Sequence, residues 1–107
     1  MPRRIQLRRS KGWKKPEGAV VCTRPGVLGN PFAHDDPAVA VQAFDHWLDN
    51  RPFYVEGTTI KADASNARRQ ACLKAIHDLR GSDCACWCRL EDPCHVDVIL
   101  RRANGRG

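Results

Sequence analysis

Four side chains near the end of the chain have the types and the spacing of a metal site. Cys86 and Cys88 form a Cys-x-Cys pair, and Cys94 is followed directly by His95. Thiolate sulfur and imidazole nitrogen are the donors that zinc prefers, and structural zinc sites hold four of them in a tetrahedron. The sequence therefore predicts a structural zinc site of three cysteines and one histidine.

Two other interpretations of this cluster remain open at the level of sequence. Reduced thiols can pack as small apolar side chains without any metal. A catalytic role is the other: Cys94 would be a nucleophile of lowered pKa with a histidine as base or acid, or a metal with an open position would activate water. The corresponding activity would be that of an enzyme acting on a nucleotide or a modified base.

A short strand and a helix must position these donors. Side chains alternate along a strand, so a strand over residues 84–88 places Cys86 and Cys88 on one face and predicts that Trp87 is buried on the other. Asp92 is a good N-cap and Pro93 suits the first helical position, which predicts a helix ending at Asn104-Gly105. Cys94 would then lie in the first turn, where the positive end of the helix dipole favours a thiolate.

The rest of the chain predicts a small α/β domain. Two strands are expected, around residues 5–7 and 19–22. Two further helices are expected, one from the N-cap Asp36 to about Asn50 and one over residues 65–80, before Gly81. Residues 53–60 fit either a hairpin or an ordered loop. This order of elements indicates one domain over residues 1–107, a two-layer or three-layer sandwich with a short, mostly parallel sheet and about three helices.

A second group of polar residues follows the predicted strand at 19–22. Arg24 comes just after this strand, and the turn Gly29-Asn30-Pro31-Phe32 is followed by His34. Open α/β folds bind ligands where parallel strands end, so Arg24, Asn30 and His34 are candidates for one cleft beside the Cys94-His95 helix start. Arg24 and a helix N-terminus suit an anion such as phosphate.

Positive charge is concentrated at the two ends of the chain. The net charge is +6, all 12 acidic residues lie between positions 16 and 100, and the last seven residues add further arginines, including Arg106. Such ends can bind a phosphate backbone, or they can simply be solvated. Trp13 and Trp87 could stack on bases. The candidate nucleic-acid contacts are Arg8, Arg9, Lys11, Trp13, Lys14 and Lys15.

The composition excludes a disordered protein, and the lengths of the apolar runs exclude a membrane-spanning one. With 42% hydrophobic and 28% charged residues among 107, the chain has ordinary globular usage and lacks the signature of disorder. No apolar run reaches the roughly 18 residues needed to span a bilayer, and no apolar segment of signal-peptide type follows the basic N-terminus. We therefore expect no membrane association, reduced cysteines and a cytoplasmic location.

Paired motifs along the chain resemble a known family. The motifs are Arg24-Pro25, Gly29-Asn30-Pro31-Phe32, Cys86-Trp87-Cys88-Arg89-Leu90 and Pro93-Cys94-His95-x-Asp97. Together they resemble a family of short phage and bacterial proteins described as domain of unknown function 4326, which implies no settled activity. The expected partners are accordingly broad: nucleic acid, a nucleotide or a host protein.

Overall fold

The computed structural model describes residues 2–105, so the first residue and residues 106 and 107 of the predicted domain, including Arg106, lie outside it. Three helices and five short strands make up the described chain, which confirms the predicted α/β class. The helices are α1 (Pro37–Leu48), α2 (Asn66–His77) and α3 (His95–Asn104). The strands are β1 (Arg4–Gln6), β2 (Val20–Val21), β3 (Phe32–Ala33), β4 (Thr59–Ile60) and β5 (Cys84–Cys86).

The main sheet has three parallel strands in the order β1-β5-β2. Because the strands are parallel, their carboxyl ends meet at one side of the sheet, which we call the carboxyl edge. The loops that begin at Leu7, Cys22 and Trp87 all leave the sheet there. Strands β3 and β4 form a separate antiparallel pair, so the segment 53–60 pairs with the residues after the Gly29 turn and makes no hairpin of its own.

Side-chain caps set the starts of α1 and α2: the Asp36 cap was predicted, whereas Ser65 was predicted only as the approximate start of the second helix. The Asp36 carboxylate accepts a hydrogen bond from the amide of Ala38 at 3.0 Å, and the Ser65 hydroxyl accepts one from the amide of Arg68 at 3.2 Å. Such caps satisfy amide groups that have no partner within the helix. Both helices end two to three residues before the predicted positions, with Asp49 and Asp78 as C-caps.

The start of α3 differs from the prediction. Cys94, and not Asp92, is the N-cap residue, and His95 is the first residue of the helix. Asp92 is used by the preceding loop, since its amide donates to the carbonyl of Arg89 at 3.0 Å and its carboxylate pairs with the Arg89 guanidinium at 3.2 Å. The helix therefore begins where this tight loop ends.

The end of β5 is also earlier than predicted. The strand stops at Cys86 because its neighbours end there: Gln6 of β1 pairs with Cys86, and Val21 of β2 pairs with Ala85. Beyond that point the chain leaves the sheet, and Trp87 is 46% exposed. The predicted burial of Trp87 was wrong for this reason.

Helix α3 is at the centre of the packing. It contacts β1 and β5 of the sheet as well as α1 and α2. Its buried face includes Val96, Val98, Ile99 and Ala103, which pack with Phe44 of α1. Between residues 2 and 105 no helix combines the length and the apolarity needed to cross a membrane.

Candidate metal centre and adjoining cleft

Three cysteine sulfurs meet at the carboxyl edge. Cys86 ends β5, Cys88 lies in the following loop, and Cys94 is the N-cap of α3. Their sulfur atoms all lie within 4.8 Å of one another, and those of Cys86 and Cys94 are 3.0 Å apart. Cys86 and Cys94 are buried, whereas Cys88 is half-buried. These three residues, named the thiol cluster below, could hold a metal ion.

Hydrogen bonds within the thiol cluster favour ionisation of Cys88 over that of Cys86. Hydrogen bonds from the thiols of Cys86 and Cys94 lower the pKa of Cys88 well below its ordinary value. Hydrogen bonds to Cys88 and Cys94, together with burial, raise the pKa of Cys86. The sulfur of Cys88 thus accepts hydrogen bonds from the thiols of Cys86 and Cys94. A cation that takes the place of those protons would let all three sulfurs ionise, which is the form that binds metals.

His95 lies beside the thiol cluster with its ring orientation fixed. Its Nε2 atom is 2.7 Å from the carbonyl oxygen of Cys22 and 3.0 Å from that of Leu28. Carbonyl oxygens only accept hydrogen bonds, so Nε2 carries the proton and Nδ1 presents a lone pair. Nδ1 is 3.7 Å from the sulfur of Cys94, and burial lowers the pKa of His95, which keeps the ring neutral.

The predicted turn at Gly29 holds the carbonyls that orient His95. A Cβ atom on Gly29 would lie 2.6 Å from the backbone nitrogen of Arg24, so only glycine allows the two loop segments to pack this closely. This close approach places the carbonyls of Cys22 and Leu28 side by side. The edge of the Phe44 ring, 5.3 Å from the imidazole between centroids, completes the surroundings of His95.

Arg4 fixes the loop that carries Cys88, a role that sequence reasoning missed. Its guanidinium donates to the carbonyls of Arg89 and Leu90 and pairs with Asp97 of α3 at 3.3 Å. The Arg4 side chain is only 9% exposed. In the sequence Arg4 was one of many basic residues at the N-terminus, and only its place in β1, next to β5, distinguishes it.

A cleft of about 410 Å³ opens at the carboxyl edge beside the thiol cluster. All four predicted metal ligands and all three predicted anion ligands line it, although they come from three separate stretches of the chain. Its other walls are largely apolar. The lining residues with predicted roles are Arg24, Asn30, His34, Cys86, Cys88, Cys94 and His95.

The three predicted anion ligands differ in what their polar atoms already do. Asn30 donates to the carbonyl of Ala40 at 3.0 Å and accepts from the amide of Phe32 at 2.9 Å. His34 uses both ring nitrogens, at 2.9 Å from the carbonyl of Glu56 and 2.9 Å from the amide of Asp36. These two side chains brace the cleft wall, and Arg24, which is exposed, is the better candidate to contact a ligand.

The predicted nucleic-acid contacts lie in the loop after β1, residues 8–15, which we call the basic loop. Arg8, Arg9, Lys11 and Lys14 are exposed and Trp13 is half-buried. Lys15 instead donates to the carbonyl of Ala19 and anchors the loop. The Arg9 guanidinium lies over the ring of Trp87, 4.4 Å from its centroid, so the basic loop reaches the rim of the cleft.

Comparison with known proteins gives one match. No curated protein and no solved structure matches the chain. The model of the family described as domain of unknown function (DUF4326) matches residues 5–105, which include the thiol cluster, the Gly29 turn and all elements except the first residue of β1. The resemblance noted in the sequence is thereby confirmed, and the chain belongs to this family.

Proposed function

We propose that this protein is a zinc-binding domain whose carboxyl edge contacts nucleic acid or a nucleotide. The observation that carries the proposal is the convergence of three sulfurs within 4.8 Å, from a strand end, a loop and a helix start. Zinc is the metal that fits this donor set best, because thiolates and imidazole are its usual structural ligands.

His95 is proposed as the fourth ligand. In a tetrahedral site with Zn–S near 2.3 Å and Zn–N near 2.0 Å, a ligand nitrogen lies ~3.5 Å from a ligand sulfur. Nδ1 of His95 is 3.7 Å from the sulfur of Cys94, close to that value. The imidazole is not part of the group whose donor atoms all lie within 4.8 Å of one another, so the ring and the thiol cluster would have to draw together around the metal. The hydrogen bonds from Nε2 to two carbonyls match the outer contacts that orient metal-bound histidines.

The proposed role of the metal is structural. It would link the end of β5 to the start of α3, and so fix the loop that carries Trp87 at the rim of the cleft. Contact with nucleic acid is supported by charge, since the basic loop and Arg24 border the same cleft and the first 15 residues include no acid. Phosphate contacts of this kind release counterions and make binding depend on salt.

Native mass spectrometry of the purified chain tests the metal. We expect one zinc ion per chain, loss of that ion on chelation, and loss of the folded circular dichroism spectrum at the same chelator concentration. A chain that carries no metal and stays folded would contradict the proposal. Binding to a labelled oligonucleotide that weakens steeply between 50 and 200 mM salt, as roughly expected for several phosphate contacts, tests the second part.

A second candidate is a cysteine-dependent or metal-dependent enzyme acting on a nucleotide or modified base. It is favoured by the half-buried Cys88, whose lowered pKa gives a thiolate at a cleft large enough for a small molecule. Iodoacetamide separates the two candidates. Rapid alkylation of Cys88 in the folded, zinc-loaded protein supports the enzyme, whereas protection by zinc supports the structural site.

A further inference from the structure

We infer that the carboxyl edge binds single-stranded nucleic acid, with one base stacked against Trp87 at the mouth of the cleft. This inference rests on the proposed function and names the form of nucleic acid that the surface accepts. Three observations carry it: the position of Trp87, the distribution of charge around it, and the size and lining of the cleft.

Trp87 is exposed at the carboxyl edge because its strand ends just before it. Its strand ends one residue earlier, so the indole lies on the rim of the cleft with 46% of its surface exposed. The Arg9 guanidinium already lies over this ring, which shows that a face of the indole accepts a flat, positively charged group. A base stacked on Trp87 would replace this guanidinium or use the opposite face. Stacking of a base on an indole is a sequence-tolerant contact that single strands offer and paired duplexes do not.

Charge around Trp87 matches a nucleic-acid backbone. Arg8, Arg9, Lys11 and Lys14 are exposed in the basic loop, which reaches the indole through Arg9. Arg24 is exposed on the loop after β2 and also lines the cleft. A strand crossing the edge would therefore meet cations of the loops after β1 and β2 close to the stacked base, at the carboxyl ends of all three parallel strands.

The cleft has room for one base. Its volume of about 410 Å³ is at the lower end of the range for small-molecule pockets, and Phe32, Ala40 and Val41 give it apolar walls. A duplex cannot enter such a space, whereas an unstacked base can. DNA and RNA share the base and phosphate chemistry argued here, so the two are separated by experiment.

Fluorescence anisotropy with the zinc-loaded full chain tests the inference. The probes are a labelled 12-nucleotide DNA of mixed sequence, the same sequence as RNA, and the same DNA annealed to its complement. We expect at least one single-stranded probe to bind ten times more tightly than the duplex. Trp87→Ala should weaken single-strand binding by about 5-fold to 100-fold, as stacked aromatics do elsewhere, and Trp87→Phe should restore most of it.

Tyr54→Ala is the matched control, because Tyr54 is an aromatic residue 75% exposed on another part of the surface. It should bind like the wild type, and the zinc content of each variant should stay at one ion per chain. Equal binding of duplex and single strand, or unchanged binding by Trp87→Ala, would overturn the stacking inference while the nucleic-acid function stands. If zinc-loaded protein binds none of the three probes, both are overturned.

Discussion

Two polar clusters hold the elements of this domain together, and they differ in how their charge is balanced. Between α1 and α3, Asp45 and Asp49 face Arg101 and Arg102 across distances of 2.6 to 2.9 Å. We call these four residues the ion cluster. The thiol cluster instead collects three cysteine thiols, and the neutral imidazole of His95 lies beside it.

The ion cluster is a charge-balanced structural contact, whereas the thiol cluster has the properties of a binding site. In the ion cluster, burial opposes ionisation of Asp45, but hydrogen bonds from Arg102 and Arg101 lower its pKa, so each charge has its partner. In the thiol cluster, hydrogen bonds to Cys88 and Cys94 and then burial raise the pKa of Cys86, whereas hydrogen bonds from Cys86 and Cys94 lower that of Cys88. A divalent cation would balance this cluster as the arginines balance the other.

Removal of one sulfur should have the largest effect. Cys94→Ser is expected to reduce zinc from one ion per chain to near zero and to lower the free energy of unfolding by about 5 kcal/mol or more, because a structural zinc contributes on the scale of the total stability. Native mass spectrometry and urea unfolding measure the two effects. If the variant keeps both its zinc and its stability, the zinc is bound elsewhere and the thiol cluster is only a packing contact.

Cys72→Ala is the matched control for that experiment. Cys72 is a fully buried cysteine of α2 outside the thiol cluster, and burial raises the pKa of its thiol to about 11. The variant should keep its zinc and lose only about 1 kcal/mol of stability, as expected of a small core truncation. Loss of zinc from this variant too would mean that metal binding merely follows folding.

Disruption of the ion cluster should lower the stability of the fold without changing metal binding. Arg102→Ala removes hydrogen bonds to Asp45 and Asp49, which leaves Asp45 with Arg101 alone and Asp49 with Arg51 alone. We expect a loss of about 1 to 2 kcal/mol in unfolding free energy at pH 7 with zinc content unchanged. Lys74→Ala, on the exposed surface of α2, serves as the control. If Arg102→Ala loses zinc while still folded, the two clusters are coupled.

The substitution Gly29→Ala should weaken zinc binding although Gly29 is not a ligand. A methyl group at Gly29 meets the backbone of Arg24 at 2.6 Å and should displace the Leu28 carbonyl that orients His95. We expect zinc affinity to fall by about 10-fold to 100-fold, the usual effect of losing an outer contact to a ligand. Competition with a zinc chelator dye measures it. Gly26→Ala, whose methyl would have a milder contact of 3.1 Å, should bind zinc nearly normally.

The smallest effect distinguishes two arginines that both hold the Cys88 loop. Arg4 is buried and contacts the carbonyls of residues 89 and 90, whereas Arg89 makes exposed ion pairs with Glu91 and Asp92. Arg4→Ala should weaken zinc binding several-fold, and Arg89→Ala should leave it unchanged, since exposed ion pairs contribute little. If the two variants weaken zinc binding equally, the contacts of Arg4 contribute no more to the loop than the exposed ion pairs of Arg89.

The convergence of the thiol cluster was predictable because its cysteines are close in sequence and lie on two adjoining elements and the loop between them. The class of fold and the helix cap at Asp36 followed from local patterns in the same way. The exposure of Trp87 was not predictable, because it depends on where β1 and β2 stop pairing with β5. The contacts of His95 were hidden for the same reason, since its carbonyl partners are 73 and 67 residues away.

X-ray absorption spectroscopy at the zinc edge tests the central claim most directly, because it reports the atoms bound to the metal in the intact protein. We predict three sulfur atoms near 2.3 Å and one nitrogen near 2.0 Å, from Cys86, Cys88, Cys94 and His95. In Cys88→Ser the sulfur count should fall by one. A wild-type spectrum dominated by oxygen, or one that His95→Ala leaves unchanged, would contradict the account.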